Sequence, residues 1–279
     1  MKKIFIKSTV SILVMAVSVM ASGPRVTETV FTPIQNEIVA LDSAPFYSNT
    51  LSNGGMIFEI VQAALNSENE TATLTTYPVK SMIKYYITQE ETLAALVINV
   101  KLSKAESKNI IKIPVALIRE QYMYYKPSHP QGLSFKEKLS KLKGLTYGAT
   151  PGEDTSAYEK AGIKVVYAES RFLFGKLKAQ KVDFIKEPVL SSRAIIDNSF
   201  KTEKNKFAVI KPQVQSSVCM ILFNLQNKSA KDVSNKFRKG LSKIIKNGQY
   251  QKILEKYQEN PDDIMQSIQE LKGLLKKGF

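Results

Sequence analysis

The side chains of this sequence best suited to chemistry are carboxylates and aromatic rings. Glu187 follows the expected strand Val182–Ile185 and immediately precedes Pro188. A carboxylate at the C-terminal end of a strand faces the crevice of an open α/β sheet. There it would face whatever the crevice holds; the alternative is a surface carboxylate paired with Lys186 or Lys181. Gly152 lies in a loop that leads into a helix, and glycine lets backbone N–H groups approach a ligand at a helix N-terminus. The neighbouring Asp154 and Thr155 are equally suited to capping that helix. Phe46 and Tyr47 follow a short apolar run and offer rings that either stack on a ligand or pack in a core. Tyr122, Tyr124 and Tyr125 lie in an extended stretch. Alternate residues of a strand share a face, so Tyr122 and Tyr124 oppose Tyr125, and either face could line a cleft.

Other chemistries are excluded by count. The 279 residues contain one cysteine and one histidine. There is no internal disulfide framework, no cysteine-based zinc cluster and no multi-histidine metal site. A Ser-His-Asp hydrolase has little room. His129, in the loop Pro127–Pro130, reads as a surface polar residue, and Cys219, in an apolar run, as core. No metal or cofactor is expected, and no motif specifies an enzyme.

The N-terminus reads as an export leader. Lys2, Lys3 and Lys7 precede an apolar stretch from Val10 to Met20, and Val19 and Ala21 precede Ser22 in the small-residue cleavage pattern. The run is shorter than the ~20 apolar residues of a membrane span. Cleavage after residue 21 is expected, with the product in the periplasm. Loss of the three leader lysines takes the net charge from +15 to +12. The lysines are spread along the chain without aromatic or arginine-rich clustering, so they read as solvated surface and no nucleic-acid partner is expected.

The elements that must position these residues follow from periodicity. Strands are expected at Ile38–Leu41, Thr71–Tyr77 and Leu93–Val100, with helices at 55–66 and Lys80–Glu91 between them. Such alternation implies a parallel sheet with helices on its faces. The pattern then restarts. Extended segments cover Pro114–Arg119 and Gln121–Tyr125. A short helix is expected at Phe135–Leu142, and the loop at Pro151 and Gly152 leads into a helix through Tyr158. Strands are expected at Leu145–Ala149, Ile163–Tyr167, Val182–Ile185, Lys206–Ile210 and Ser217–Phe223, with a helix at Arg171–Ala179. Three apolar stripes make the end of the chain helical, with a stop at Gly248 and a cap for the last helix at Asn260-Pro261-Asp262. The doubling gives an α/β chain of two lobes joined by two crossover strands, with a cleft between them. Expected boundaries are 1–21 for the leader, 22–120 and 213–261 for lobe 1, 121–212 for lobe 2, and 262–279 for an extra C-terminal helix.

Several segments resemble, in order, the family 3 extracellular solute-binding proteins of the polar-amino-acid type. They are Ala44-Pro45-Phe46-Tyr47; Gly54-Gly55 leading to Glu59; Leu142-Lys143-Gly144 through Gly148 and Gly152; Ala179 through Asp183; and Leu241 through Asn247-Gly248, Tyr250, Ile253 and Tyr257. The resemblance covers roughly residues 35–258. It implies two α/β lobes that close on a small polar ligand, a monomer without a cofactor, and an inner-membrane permease of an ABC importer as partner. A membrane sensor is the alternative partner, and a dehydratase-like enzyme on the same scaffold a further one. The family's Thr-x-x-Arg, which holds a ligand carboxylate, falls on Ser103 and Glu106, so a hydroxyl is kept and the charge reversed. Its second-lobe Gly-Thr falls on Gly152 and Glu153, and its acidic ammonium-binding position on Glu187. With the aromatic candidates read from the residues, the expected site is Phe46, Tyr47, Ser103, Glu106, Tyr125, Gly152, Glu153 and Glu187, with ordinary carboxylate recognition put in question by Glu106.

Overall fold

A computed structural model describes residues 36–77, 85, 87–98, 102–134, 138–210, 215–257 and 260–277. The expected leader, 1–21, and residues 80–84 and 86 of the helix expected over 80–91 lie outside them. Residues 87–91 of that expectation form turns.

The first strand, β1 (Glu37–Leu41), pairs in parallel with β2 (Thr73–Tyr77) on one side and β3 (Thr92–Ile98) on the other. β4 (Ile110–Tyr125) is 16 residues long. Its first part pairs antiparallel with β9 (Gln215–Asn224), which also pairs antiparallel with β3. From Glu120 onward β4 pairs with β7 (Phe184–Pro188), and its last residues with β8 (Phe207–Val209). β5 (Thr146–Ala149) is parallel to both β6 (Lys164–Tyr167) and β7. The hydrogen-bonded path is therefore continuous, β2-β1-β3-β9-β4-β7-β5-β6.

The packing is divided although the ladder is not. Two apolar clusters lie on the faces of the first half-sheet. One is built on Ile38, Ala40 and Ile113, the other on Val39, Ala95 and Leu222. Two more lie on the second half-sheet, one around Tyr122, Tyr147 and Phe184, the other around Met123, Leu173 and Ile185. Alternate side chains of each strand supply opposite faces, so Tyr122 and Tyr124 do part from Tyr125.

Helix α1 (Met56–Asn66) buries Met56, Ile57, Ile60, Val61, Ala64 and Leu65 on the first sheet. Burying one large aliphatic side chain contributes about 1.5–3 kcal/mol. Its N-terminus explains two of the sequence motifs together. The first-turn N–H groups of Met56 and Ile57 donate to the carbonyls of Pro45 and Phe46 at 2.9 and 2.8 Å. Gly55 has φ +94°, and a Cβ there would stand 2.7 Å from the Phe46 carbonyl. Only glycine lets that loop close on the helix end.

A single helical turn, α2 (Lys104–Ser107), precedes β4. In the second half, α3 (Ser156–Lys160), α4 (Ser170–Lys178) and α5 (Val189–Ser199) follow β5, β6 and β7. The sequence reading missed α5. The short helix expected at 135–142 is instead a 3₁₀ turn, Leu139–Leu142, with residues 135–137 outside the described set. Three helices close the chain: α6 (Ala230–Lys246), α7 (Gln249–Tyr257) and α8 (Pro261–Lys276). α6 crosses α1 at Gly240, where any side chain would collide with the Ala64 carbonyl. α8 is capped by Asn260, whose side chain accepts from the Asp262 N–H. It packs Ile264, Ile268 and Leu271 into the first core. No helix among the described residues is long and apolar enough to cross a membrane.

The register of β4 against β9 slips between Pro114 and Ala116, so Val115 has no place in the ladder. Its carbonyl accepts instead from the buried Tyr250 hydroxyl at 3.0 Å. Tyr250→Phe keeps the ring and leaves that carbonyl without its donor. A loss of about 1–3 kcal/mol is expected, measured by urea unfolding; an unchanged midpoint would show that the carbonyl finds water instead.

Candidate functional site

β7 is a central strand, flanked by β4 and β5. Its burial makes Phe184 and Ile185 core residues and carries Glu187 inside with them, at 3% exposure. Pro188 then turns the chain into α5, whose first turn reaches across to the first half. The Ser191 hydroxyl donates to the Ala44 carbonyl at 3.4 Å, and Leu190 packs against the first core. Glu187 thus lies three residues before the segment where the halves touch.

The Glu187 Oε1 atom is buried and has no hydrogen-bond partner among the described residues. Lys186 does not supply one, because its Nζ goes to Glu120 at 2.8 Å. Burial raises the Glu187 carboxyl to about 7. The Ser170 hydroxyl lies close enough to temper the rise without meeting hydrogen-bond geometry, and the charges of Glu153 and Glu120 add to it. A carboxylate is acceptor-only when ionised, so this position calls for a donor.

Glu153 stands in the turn beyond β5, next to Gly152, which is exposed with φ +82°. Its carboxylate accepts the Tyr147 hydroxyl at 2.5 Å and the Thr150 N–H at 3.1 Å. Tyr147 stacks on Tyr158 with ring centroids 4.0 Å apart, and the Tyr158 and Tyr122 hydroxyls are 2.8 Å apart. Burial is the largest cause of the raised values of Tyr147 and Tyr158, which keeps both phenols protonated. Asp154 accepts from the Ser156 N–H and hydroxyl, one residue ahead of the N-cap Thr155, whose side chain makes no capping bond.

The remaining expected residues are placed as follows. Phe46 and Tyr47 are 1% and 2% exposed, with both rings in the first core and their loop carbonyls capping α1. Ser103 is exposed just ahead of α2. Glu106 lies in α2, and its side chain lies outside the described residues. Tyr125 stands at the far end of β4, on the face of Met123; its hydroxyl donates to Glu203 at 3.2 Å and its ring packs on Phe207. The structure therefore brings Gly152, Glu153 and Glu187 to one rim of the second half and leaves Tyr125 away from it.

Sequence reasoning missed Ser170, Ser191 and the group around Glu120, whose carboxylate takes both Lys186 and the Ser217 hydroxyl. A charged pair interrupting the apolar run of β4, Arg119-Glu120, was the signal available for the last. His129, read as surface polar, instead holds Asp183 at 2.9 Å and is largely covered.

Glu187 makes stability depend on pH. Its folded value, about 7, lies above the ordinary 4.5, so the native state holds the extra proton between those values. Its contribution is fully present below about pH 4.5 and is lost as pH rises through 7. Glu187→Gln should remove that slope, with a difference from the parent on the order of 2–3 kcal/mol between pH 5 and 8. Unfolding curves across that range check it; parallel slopes would refute the assignment.

No protein-family profile matches the sequence, and no curated protein matches it. Solved structures do. The ligand-binding core of GluR0 from Nostoc punctiforme, in complex with L-glutamate, is 15% identical, with a TM-score of 0.61 over 81% of this chain and 100% of that one. A histidine kinase sensor domain with similarity to periplasmic binding proteins is 15% identical, with a TM-score of 0.62 over 80% and 95%. An ancestral arginine-binding protein bound to arginine is 16% identical, with a TM-score of 0.60 over 80% and 97%. With its two half-sheets, four core clusters and shared long strand, the chain carries the two-lobed α/β fold of the periplasmic-binding-protein type, in agreement with the family resemblance of its motifs.

Proposed function

We propose that this protein is an exported, non-enzymatic solute-binding protein that captures a small polar ligand by closing two lobes around it. The observation that carries the reading is the buried Glu187 Oε1, without a partner, beside the segment where α5 meets the Ala44 loop. A buried acceptor costs free energy unless something donates to it, and a ligand held between lobes would do so. The leader expected at 1–21 supports release into the periplasm. The lobes are 22–120 with 213–261, and 121–212; residues 262–279 belong with the first. Gly152 and Glu153 form the rim on the second lobe, and Ser103 and the α2 turn that carries Glu106 are the first lobe's contribution. The protein works as a monomer, without cofactor, and delivers ligand to an inner-membrane permease.

A membrane sensor is the second reading. The likeness to a histidine kinase sensor domain favours it. A dehydratase-like enzyme would need an acid and a base at the site, and Glu106 with Glu187 is the pair that could supply them.

Thermal unfolding of the protein from Ser22 onward, against amino acids, amines, sugars and small anions, tests the proposal. Ligand at a hundredfold its Kd stabilises by about 2.7 kcal/mol, a rise of roughly 5–10 °C for a chain of this size. Glu187→Gln should abolish the rise while remaining folded. A flat response to the whole panel would overturn the reading.

A further inference from the structure

We infer that the site selects a compact organic cation, an amine that carries no carboxylate, over the corresponding amino acid. The inference rests on the ligand-binding reading above and names its ligand class.

The acceptors come first. Glu187 Oε1 is buried with no hydrogen-bond partner among the described residues; the nearby Ser170 hydroxyl is a neutral donor that does not reach it, and the charges that act on it from neighbouring elements are carboxylates, Glu153 from the turn after β5 and Glu120 from β4. Lys186, the cation next to it in sequence, is taken by Glu120. An ammonium brings up to three donors and a positive charge to such a position. A ligand carboxylate brought close would meet acceptors and like charge.

The arginines then matter, because a planar guanidinium is the group that holds a carboxylate with two parallel bonds. No arginine occurs between Arg25 and Arg119, where the resemblance would put one, and Glu106 stands in its place. Arg119 is spent on Asp263 and Gln266 of α8. Arg171 pairs with Glu169 at 3.0 Å and lies over the Phe172 ring. Arg193 is on the exposed side of α5, and Arg238 is on α6, beside Lys239 and Ser242.

A metal ion is the other cation to weigh. Among the described residues no three acidic, histidine or cysteine side chains come close enough to hold one. The acceptors at the rim are also already committed in part, Glu153 to Tyr147 and Thr150. One open oxygen suits a single ammonium better than a desolvated metal ion that needs several ligands.

Matched pairs isolate the carboxylate. Agmatine and arginine, cadaverine and lysine, and putrescine and ornithine differ by that group alone. Calorimetric titration of the protein from Ser22 onward should show at least one amine binding ten times or more tighter than its parent amino acid. Glu187→Gln should weaken that amine tenfold or more, and Glu187→Asp, which keeps the charge, should retain the order of preference. If an amino acid binds as tightly as its amine, or if only sugars or anions bind, the inference falls and the ligand-binding reading stands. If no compound of either panel binds, both fall.

Discussion

One strand belongs to two cores, and the polar pair in its middle keeps those cores apart. β4 is buried on both faces before residue 119 and again after 121. Between them Arg119 and Glu120 point to opposite faces, one to Asp263 and Gln266 on α8, the other to Lys186 and Ser217. Apolar side chains there would let the clusters fuse into one rigid interior, because close-packed cores do not deform continuously. Charged groups with specific partners break the packing without breaking the ladder. The hydrogen-bonded sheet is continuous, and yet no cluster of buried residues has members from both halves.

That junction also sets the environment of Glu187. Its register partner is Gln121, one residue beyond Glu120. The strand geometry forces the carboxyl into the interior of the second half, and Pro188 ends the strand before the side chain reaches water. The cost of holding it there is borne by the rest of the lobe, by Phe184, Tyr147 and Tyr158 on one face and by Leu173 and Ile185 on the other. Local cost tolerated inside a well-packed fold is what a binding position is expected to show.

The sequence was informative where one periodicity or one local rule decides the outcome. The apolar spacing of α1, α6 and α8, the glycine stop at Gly248 and the Asn260 cap depend on neighbours in the chain, and all are present. The motif containing Tyr250 was visible too, but its reason was not, because the carbonyl it satisfies lies 135 residues away. α5 was missed because its buried side includes Ser191 and Ser192; inward-facing hydroxyls erase the apolar stripe that marks a helix. Phe46 and Tyr47 show the opposite case. Their residue types suit a ligand, while their burial depends on how the loop closes on α1, which only the three-dimensional arrangement reveals. Glu187 was legible as a strand-end carboxylate, and its lack of a partner was not, since Lys186 could equally have turned to it.

A protein with a formal charge of +15 is an unlikely home for a cationic ligand only if charge is counted over the whole molecule. The lysines are spread over both halves, and their field is screened within about 8 Å at physiological salt. It slows the approach of a cation somewhat. On the proposed reading a ligand inside would meet a desolvated carboxyl, where each interaction is stronger than at the surface. The fold itself is silent on this choice, as one architecture serves many ligands. In the proposed site selection would fall to a few atoms, and among the described residues the buried carboxylate oxygen left open is that of Glu187.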